Sequence, residues 1–214
     1  FSCVSTEKQA YGLEGLDPSQ QKAIQSAEVL LLGEAHDNPW HHALQADIVE
    51  SVGQSGRLGA VIFEQVSWLD QGILDKVNQG NLDQLATKLQ WDKSGWPPFA
   101  LYEPIFAKAI EHGAKLVAGG LPKDRIKGIY KQGLIVAFND RELVEYQLNA
   151  KLSQVAENRL HGLIFDSHCK MIPKGHTLAM VPVQRARDGA LVRGWKRHSA
   201  AGKTAIFILG AGHA

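Results

Sequence analysis

Three short apolar runs, each ending at a glycine or a glutamate and each followed by a stretch of helical character, restrict this chain to an α/β fold. Ala27-Glu28-Val29-Leu30-Leu31-Leu32 closes at Gly33, Gly59-Ala60-Val61-Ile62-Phe63 at Glu64, and Ala114-Lys115-Leu116-Val117-Ala118 at Gly119-Gly120. The runs lack polar alternation, the pattern of strands covered on both faces. After the first, Asp37-Asn38-Pro39 supplies an Asx cap with proline at the first helical position. Leu44, Ile48 and Val52 then recur at the spacing of a core-facing helical stripe, which Gly53, Gly56 and Gly59 close. This alternation predicts a mostly parallel central sheet flanked by helices and joined by right-handed crossovers. A last apolar run, Thr204 to Leu209, leads into Gly210-Ala211-Gly212-His213.

The remaining segments are less regular. Residues 1–20 read as a leader or linker, and 21–214 as a single α/β domain that begins with a short helix at Gln20 to Ser26. Residues 65–112 are helical with interruptions, and the Trp96-Pro97-Pro98 break starts a helix around Tyr102 to His112. Residues 140–160 are expected to form one long polar helix, with a thin stripe at Leu143, Gln147 and Ala150 or at Leu148 and Leu152. Such a helical insert projects from the sheet or packs on a partner, forming a dimer or ligand surface. Residues 166–200, rich in His, Arg and Lys, read as mixed helix and loop. A core strand is an odd place for a protein to stop, so native residues are expected beyond Ala214.

Composition narrows the function. The 23 Lys and Arg against 22 Asp and Glu leave no basic excess of the kind that marks nucleic-acid binding. The longest apolar runs are far shorter than the ~20 residues of a membrane-spanning helix. The 2 cysteines, Cys3 and Cys169, exclude a disulfide framework and a four-cysteine zinc site. Ser2 before Cys3 meets the small-residue requirement of a bacterial lipoprotein processing site.

Ligands of open α/β sheets bind outside the carboxyl ends of the strands. Here the first strand delivers Glu34 and His36, the second Glu64 and the last His213. Residues two apart in extended chain point the same way, which puts Glu34 and His36 on one side. Two carboxylates and two imidazoles in one cleft can hold a divalent metal, or run acid–base hydrolysis in which a carboxylate orients each histidine. Burying four such groups costs several kcal/mol unless they are paired or liganded. His41 and His42 are adjacent on the first helix, so at most one is expected to reach the cleft. His168-Cys169 offers a soft ligand or nucleophile, with a buried thiol as the default.

The run Leu32-Gly33-Glu34-Ala35-His36-Asp37-Asn38-Pro39, with His41-His42 and Leu44-Gln45, resembles the opening motif of the ChaN family. The likeness continues at Phe63-Glu64, at Trp96, Tyr102 and Pro104, and at Ala118-Gly119-Gly120-Leu121-Pro122. It runs on through His168-Cys169 and Gln184-Arg185-Ala186-Arg187-Asp188 with Ala190 to Gly210-Ala211-Gly212-His213, spanning about residues 28–213. Three departures stand out: many relatives have Asn where this chain has Gly120, Asn near Ala211, and a Lys-Asp-Ala-Met-Ala pattern where this chain has Arg187-Asp188-Gly189-Ala190-Leu191.

The resemblance implies a haem-binding, iron-regulated lipoprotein of bacterial iron acquisition, related to erythromycin esterases and to the TraB and Tiki proteins. It implies a symmetric homodimer with haem at the interface, and an outer-membrane tether through lipidated Cys3. A phenolate suits ferric iron, which directs attention to Tyr102, Tyr130 and Tyr146, since Tyr11 lies in the leader. Tyr102 has a second reading, as a structural residue lining the cleft. The basic stretch holding Lys170, Lys174, Arg185, Arg187, Arg193, Lys196 and Arg197 could clamp haem propionates, because Arg pairs carboxylates bidentately; a solvated face is the alternative.

Overall fold

A computed structural model describes residues 12–167, 171 and 173–214; Cys3, Tyr11, His168, Cys169 and Lys170 lie outside the described residues. Its centre is a sheet of four parallel strands, β1 Val29–Glu34, β2 Leu58–Ser67, β3 Lys115–Gly120 and β4 Thr204–Gly210, in the spatial order β1-β4-β2-β3. The helices are α1 Pro18–Ser26, α2 Pro39–Gln54, the single turns α3 Gln71–Leu74 and α4 Leu85–Lys88, α5 Glu103–Glu111, α6 Lys123–Gln132, α7 Asp140–Glu145, α8 Gln154–Ser167 and α9 Lys174–His198. No helix among the described residues is long and apolar enough to cross a membrane.

Side-chain alternation divides the sheet into two faces. Val61, Phe63, Leu116, Ala118, Ile206 and Ile208 pack with α2 and α5 in the larger core. Ala60, Ile62, Val117, Ala205, Phe207 and Leu209 face α9 through Leu191 and Trp195. A third cluster, built on Ile129, Phe138, Leu148, Val183 and Ala186, holds α6 and the segment around α7 against α9.

Three sequence expectations need correction. β1 is an edge strand rather than one covered on both faces. It pairs with β4 alone, and although Leu30 and Leu32 meet the core, Val29 and Leu31 are 37% and 49% exposed. The long helix over 140–160 is two helices. Asn139 starts α7 with a reciprocal cap to Glu142, then Gln147 turns left-handed at φ 54° and the Leu148 N–H returns to the Leu143 carbonyl. Residues 174–198, by contrast, are one continuous helix that carries Pro182 inside it. Small residues on its inner face let it lie close to the sheet: a Cβ at Gly194 would stand 3.0 Å from Val117 Cγ1. Its charged residues lie between those contacts and mask the apolar period in the sequence.

Candidate functional site

Because all four strands are parallel, their carboxyl ends share one edge, and because β4 lies between β1 and β2, Gly210 separates Glu34 from Glu64. The four residues expected there form two acid–histidine pairs on either side of that glycine. Only Gly fits: a Cβ at position 210 would stand 2.8 Å from His36 Cε1 and 2.9 Å from His36 Nε2.

In the first pair Glu34 is 2% exposed. Its Oε1 accepts hydrogen bonds from the Tyr102 hydroxyl at 2.8 Å, the Gln65 amide at 3.0 Å and His36 Nδ1 at 2.9 Å. With Nδ1–H directed at a carboxylate, His36 carries its free lone pair on Nε2, which has no hydrogen-bond partner among the described residues. The ring packs edge-on against Trp96, with 4.7 Å between centroids, and its side chain is 37% exposed, so Nε2 stays accessible.

Behind Glu34 lies His42, 2% exposed and stacked at 4.3 Å on Tyr102. His42 Nε2 lies 2.9 Å from the His36 carbonyl, and since a carbonyl only accepts, that nitrogen carries a proton. Its Nδ1 lies 3.4 Å from Glu34 Oε2, and neither atom has another partner. His41 turns back instead, its Nδ1 accepting the Ala35 N–H at 2.9 Å. Both neighbouring histidines thus shape the turn, one from inside and one from its rim.

In the second pair His213 is clamped. Its Nδ1 lies 2.6 Å from Asp188 Oδ1 and its Nε2 3.3 Å from Glu64 Oε1, with the Gln184 carboxamide 3.1–3.2 Å from both nitrogens. Burial disfavours the imidazolium, but the two carboxylates outweigh it and push the His213 pKa up to about 9. Burial likewise raises the Glu64 pKa, and the hydrogen bond and charge of His213, the Gly210 N–H and the charge of His36 together pull it below the usual range. His213 is therefore an imidazolium at neutral pH, with both nitrogens donating. It braces the cleft and offers no free lone pair.

A bulge in β2 aims Glu64 and Gln65. The pairing with β3 shifts register between Phe63 and Ser67, and the backbone there approaches Gly120 so closely that a Cβ would stand 2.4 Å from the Glu64 carbonyl oxygen. With this backbone no side chain fits at 120. Beside the bulge opens a cavity of about 760 Å³, lined among others by Glu64, Gln65, Trp91, Trp96, Lys127 and Arg187.

The haem-ligand candidates fall in different environments. Tyr102 is fully buried, and burial with the charge and hydrogen bond of Glu34 drives its pKa far upward. It is the structural residue of the two readings: its phenolate is disfavoured, and no surface is available for a haem plane to reach it. Tyr130 on α6 is 49% exposed. Tyr146 is half-buried edge-on to Phe138, its pKa raised by burial and by Glu142 and Glu145. Arg185 donates to the Gln147 and Ala150 carbonyls, and Arg187 lines the cavity.

Sequence reasoning expected at most one of His41 and His42 in the cleft without choosing between them, and left out Gln65, Gln184 and Asp188. A signal was present for all but Gln65. His42 and Gln45 fall on the same face of α2 as Val49 and Val52, all buried, and Gln184 and Asp188 are one helical turn apart on α9. Gln65 had none, because only the bulge turns it inward.

Comparison with known proteins gives a consistent picture. A family model described as haem-binding uptake, Tiki superfamily, ChaN, matches residues 20–214. The chain is similar to a solved structure of ChaN from Campylobacter jejuni, described by its cofacial heme binding, with 21% sequence identity, a TM-score of 0.61, and coverage of 87% of this chain and 71% of that one. Among curated proteins none matches.

Proposed function

The chain belongs to the ChaN haem-binding uptake family of the Tiki superfamily, and from that premise we propose that it is a haem-binding lipoprotein of bacterial iron uptake. The observation that carries this reading is the family match over residues 20–214, which includes the whole sheet and helices α2 to α9. In this reading the chain acts as a homodimer tethered to the outer membrane by lipid on Cys3. Cofacial heme binding in the Campylobacter jejuni protein supports haem as the ligand.

The helical surface fits the group at one tyrosine. Tyr130 presents an exposed phenol in a layer where Ile135 and Val144 are 67% and 64% exposed, a combination of apolar contact and oxygen donor that suits ferric haem. Tyr146 is the alternative donor, and the free edge of Arg185 would pair a propionate. When bound, haem supplies a ferric iron that a phenolate ligates. Haem titration of the full chain tests this. The expected result is a saturable Soret band with a tyrosinate charge-transfer feature that Tyr130→Phe removes, and dimerisation by sedimentation. Absence of a saturable complex ends the proposal.

A second reading, an acid–base hydrolase at the strand ends, is favoured by one specific observation: the Glu34–His36 hydrogen bond leaves His36 Nε2 free and accessible. In that role Glu34 orients the imidazole, His36 Nε2 takes a proton from water, and the imidazolium of His213 supplies a fixed positive charge nearby. His36→Gln abolishing the hydrolysis of aryl esters would support it. Of the two imidazoles in the cleft, only His36 keeps a nitrogen open to a divalent metal, since both nitrogens of His213 face carboxylates. Among the described residues, the grouping whose ligand atoms converge within 4.8 Å is instead Glu50, Glu111 and His112, and Lys108 occupies its centre with contacts of 2.9 and 3.0 Å to the two acids.

A further inference from the structure

We propose that the cavity between the β2 bulge and α6 is a binding site for an organic anion with a flat aromatic body. The proposal stands on the lining of this cavity and does not rest on haem binding. Its volume, about 760 Å³, falls within the ~300–1,000 Å³ typical of small-molecule sites. Three features of the lining select the ligand.

The first is charge. Five cations, Lys88, Lys93, Lys123, Lys127 and Arg187, line the cavity against two carboxylates, Glu64 and Asp70. Glu64 is already neutralised by the His213 imidazolium and the Gly210 N–H, so the unbalanced charge facing the cavity is positive.

The second is an arginine without a partner. Arg185, Arg193 and Arg197 on the same helix each donate to a carbonyl or to Glu142. Arg187 is half-buried, lines the cavity and has no hydrogen-bond or ion-pair partner among the described residues. A half-buried guanidinium with five unused N–H donors is complementary to a carboxylate, sulfonate or phosphate, which it can take bidentately.

The third is the wall. Trp91 and Trp96 line the cavity together with Leu121 and Ile126. Trp91 is locked by its indole N–H to the Pro97 carbonyl at 2.8 Å, and Trp96 by its contact with His36. Trp91 is 4% exposed and packed on Phe99 and Tyr102, so it backs the wall, and the rigid, half-buried Trp96 indole offers the stacking area for a flat aromatic partner. Lys123 donates to the Ser94 carbonyl and ties α6 to the tryptophan loop, closing the far side.

The probe for this site is 8-anilinonaphthalene-1-sulfonate, an aromatic anion, with N-phenyl-1-naphthylamine as its uncharged counterpart. Fluorescence titration of the full chain is expected to show a saturable single-site complex with the sulfonate. Binding of the neutral amine should be at least roughly tenfold weaker, as is usual for loss of a charge-assisted contact. Arg187→Gln and, separately, the exposed Lys127→Gln should each weaken sulfonate binding by a comparable factor and leave binding of the amine unchanged. Lys131→Gln, the same charge change on α6 outside the lining, should leave both unchanged. Each variant is first shown by circular dichroism melting to be folded, so that Lys127→Gln carries the test if Arg187→Gln is not. The proposal is overturned by any of three results: no saturable sulfonate complex, equal affinity for the amine, or weakening by Lys131→Gln as large as by the cavity variants.

Discussion

Replacing His213 by glutamine isolates the charged clamp between β4 and α9, and the structure fixes both the size and the pH window of the effect. His213 is held between Glu64 and Asp188 at 3.3 and 2.6 Å, its side chain only 5% exposed. A rise from 6.5 to about 9 corresponds to about 3 kcal/mol at about 1.4 kcal/mol per unit. Asp188 is 48% exposed, so solvent screens its share and about 2 kcal/mol is the safer figure. The folded state binds the His213 proton more tightly than the unfolded chain does. The stabilisation is therefore complete below about pH 6.5 and is lost as pH rises through about 9. Glu64 has the opposite sign: its depressed pKa stabilises above about 4.5 and that contribution falls away as pH drops below it.

Urea unfolding at half-unit steps from pH 6 to pH 10 measures this directly, read as wild type minus His213→Gln so that lysine and tyrosine titrations cancel. The difference should shrink by about 2 kcal/mol across the window. A difference that stays constant from pH 6 to pH 10 would refute the charged clamp, whatever its absolute size. An NMR titration of the His213 ring gives an independent check, with the midpoint expected near 9.

Other perturbations test other parts of the edge. Tyr102→Phe removes the hydrogen bond to buried Glu34 without changing shape, and should cost about 1–3 kcal/mol, the range for a bond to a charged acceptor, in thermal or urea melts. Gly210→Ala drives a methyl into the His36 ring; a destabilisation of about 1–3 kcal/mol with a displaced His36 ring resonance is expected, and an unchanged resonance would contradict the close approach. His42→Leu leaves Glu34 Oε2 facing an apolar group, and should cost about 1–3 kcal/mol in urea melts, the penalty of a buried polar atom left unsatisfied. Metal analysis of chain purified without chelator should find no stoichiometric divalent ion that Glu34→Ala or His213→Ala removes; a full equivalent lost in both variants would show that the clamp reorganises around a cation.

The strand-end acids and histidines were legible in the sequence because parallel topology turns one-dimensional order into a shared edge. Once Val29–Leu32, Ala60–Phe63 and Ala205–Leu209 read as strands, the residues following them had to meet. What the sequence left hidden depended on register and on breaks in regular backbone. Gln65 reaches Glu34 only through the bulge opposite Gly120, and α8 separates from α7 because one residue, Gln147, turns left-handed. The exposure of Val29 and Leu31 follows from strand order, which an apolar run does not encode. The continuity of α9 was masked by its own charge, since Gln184, Arg187 and Asp188 share the helix with the residues that pack it to the sheet.

The two acid–histidine pairs, equivalent in sequence, are unequal in structure, and the inequality assigns them different work. His213 faces two carboxylates and is charged and immobile, so it cannot accept a proton at neutral pH. His36 faces a single carboxylate oxygen already shared with Tyr102 and Gln65, and it keeps one nitrogen open to solvent. Any proton transfer at this edge therefore runs through His36, with His213 acting as a fixed positive charge one glycine away. That asymmetry also separates the cleft from the Tyr130 surface. A substitution at His36 should alter reactivity toward esters while leaving the Soret band of a haem complex intact, and Tyr130→Phe should do the reverse. If one substitution abolished both, the cleft and the haem surface would have to be coupled, and the division of work between His36 and Tyr130 would need to be abandoned.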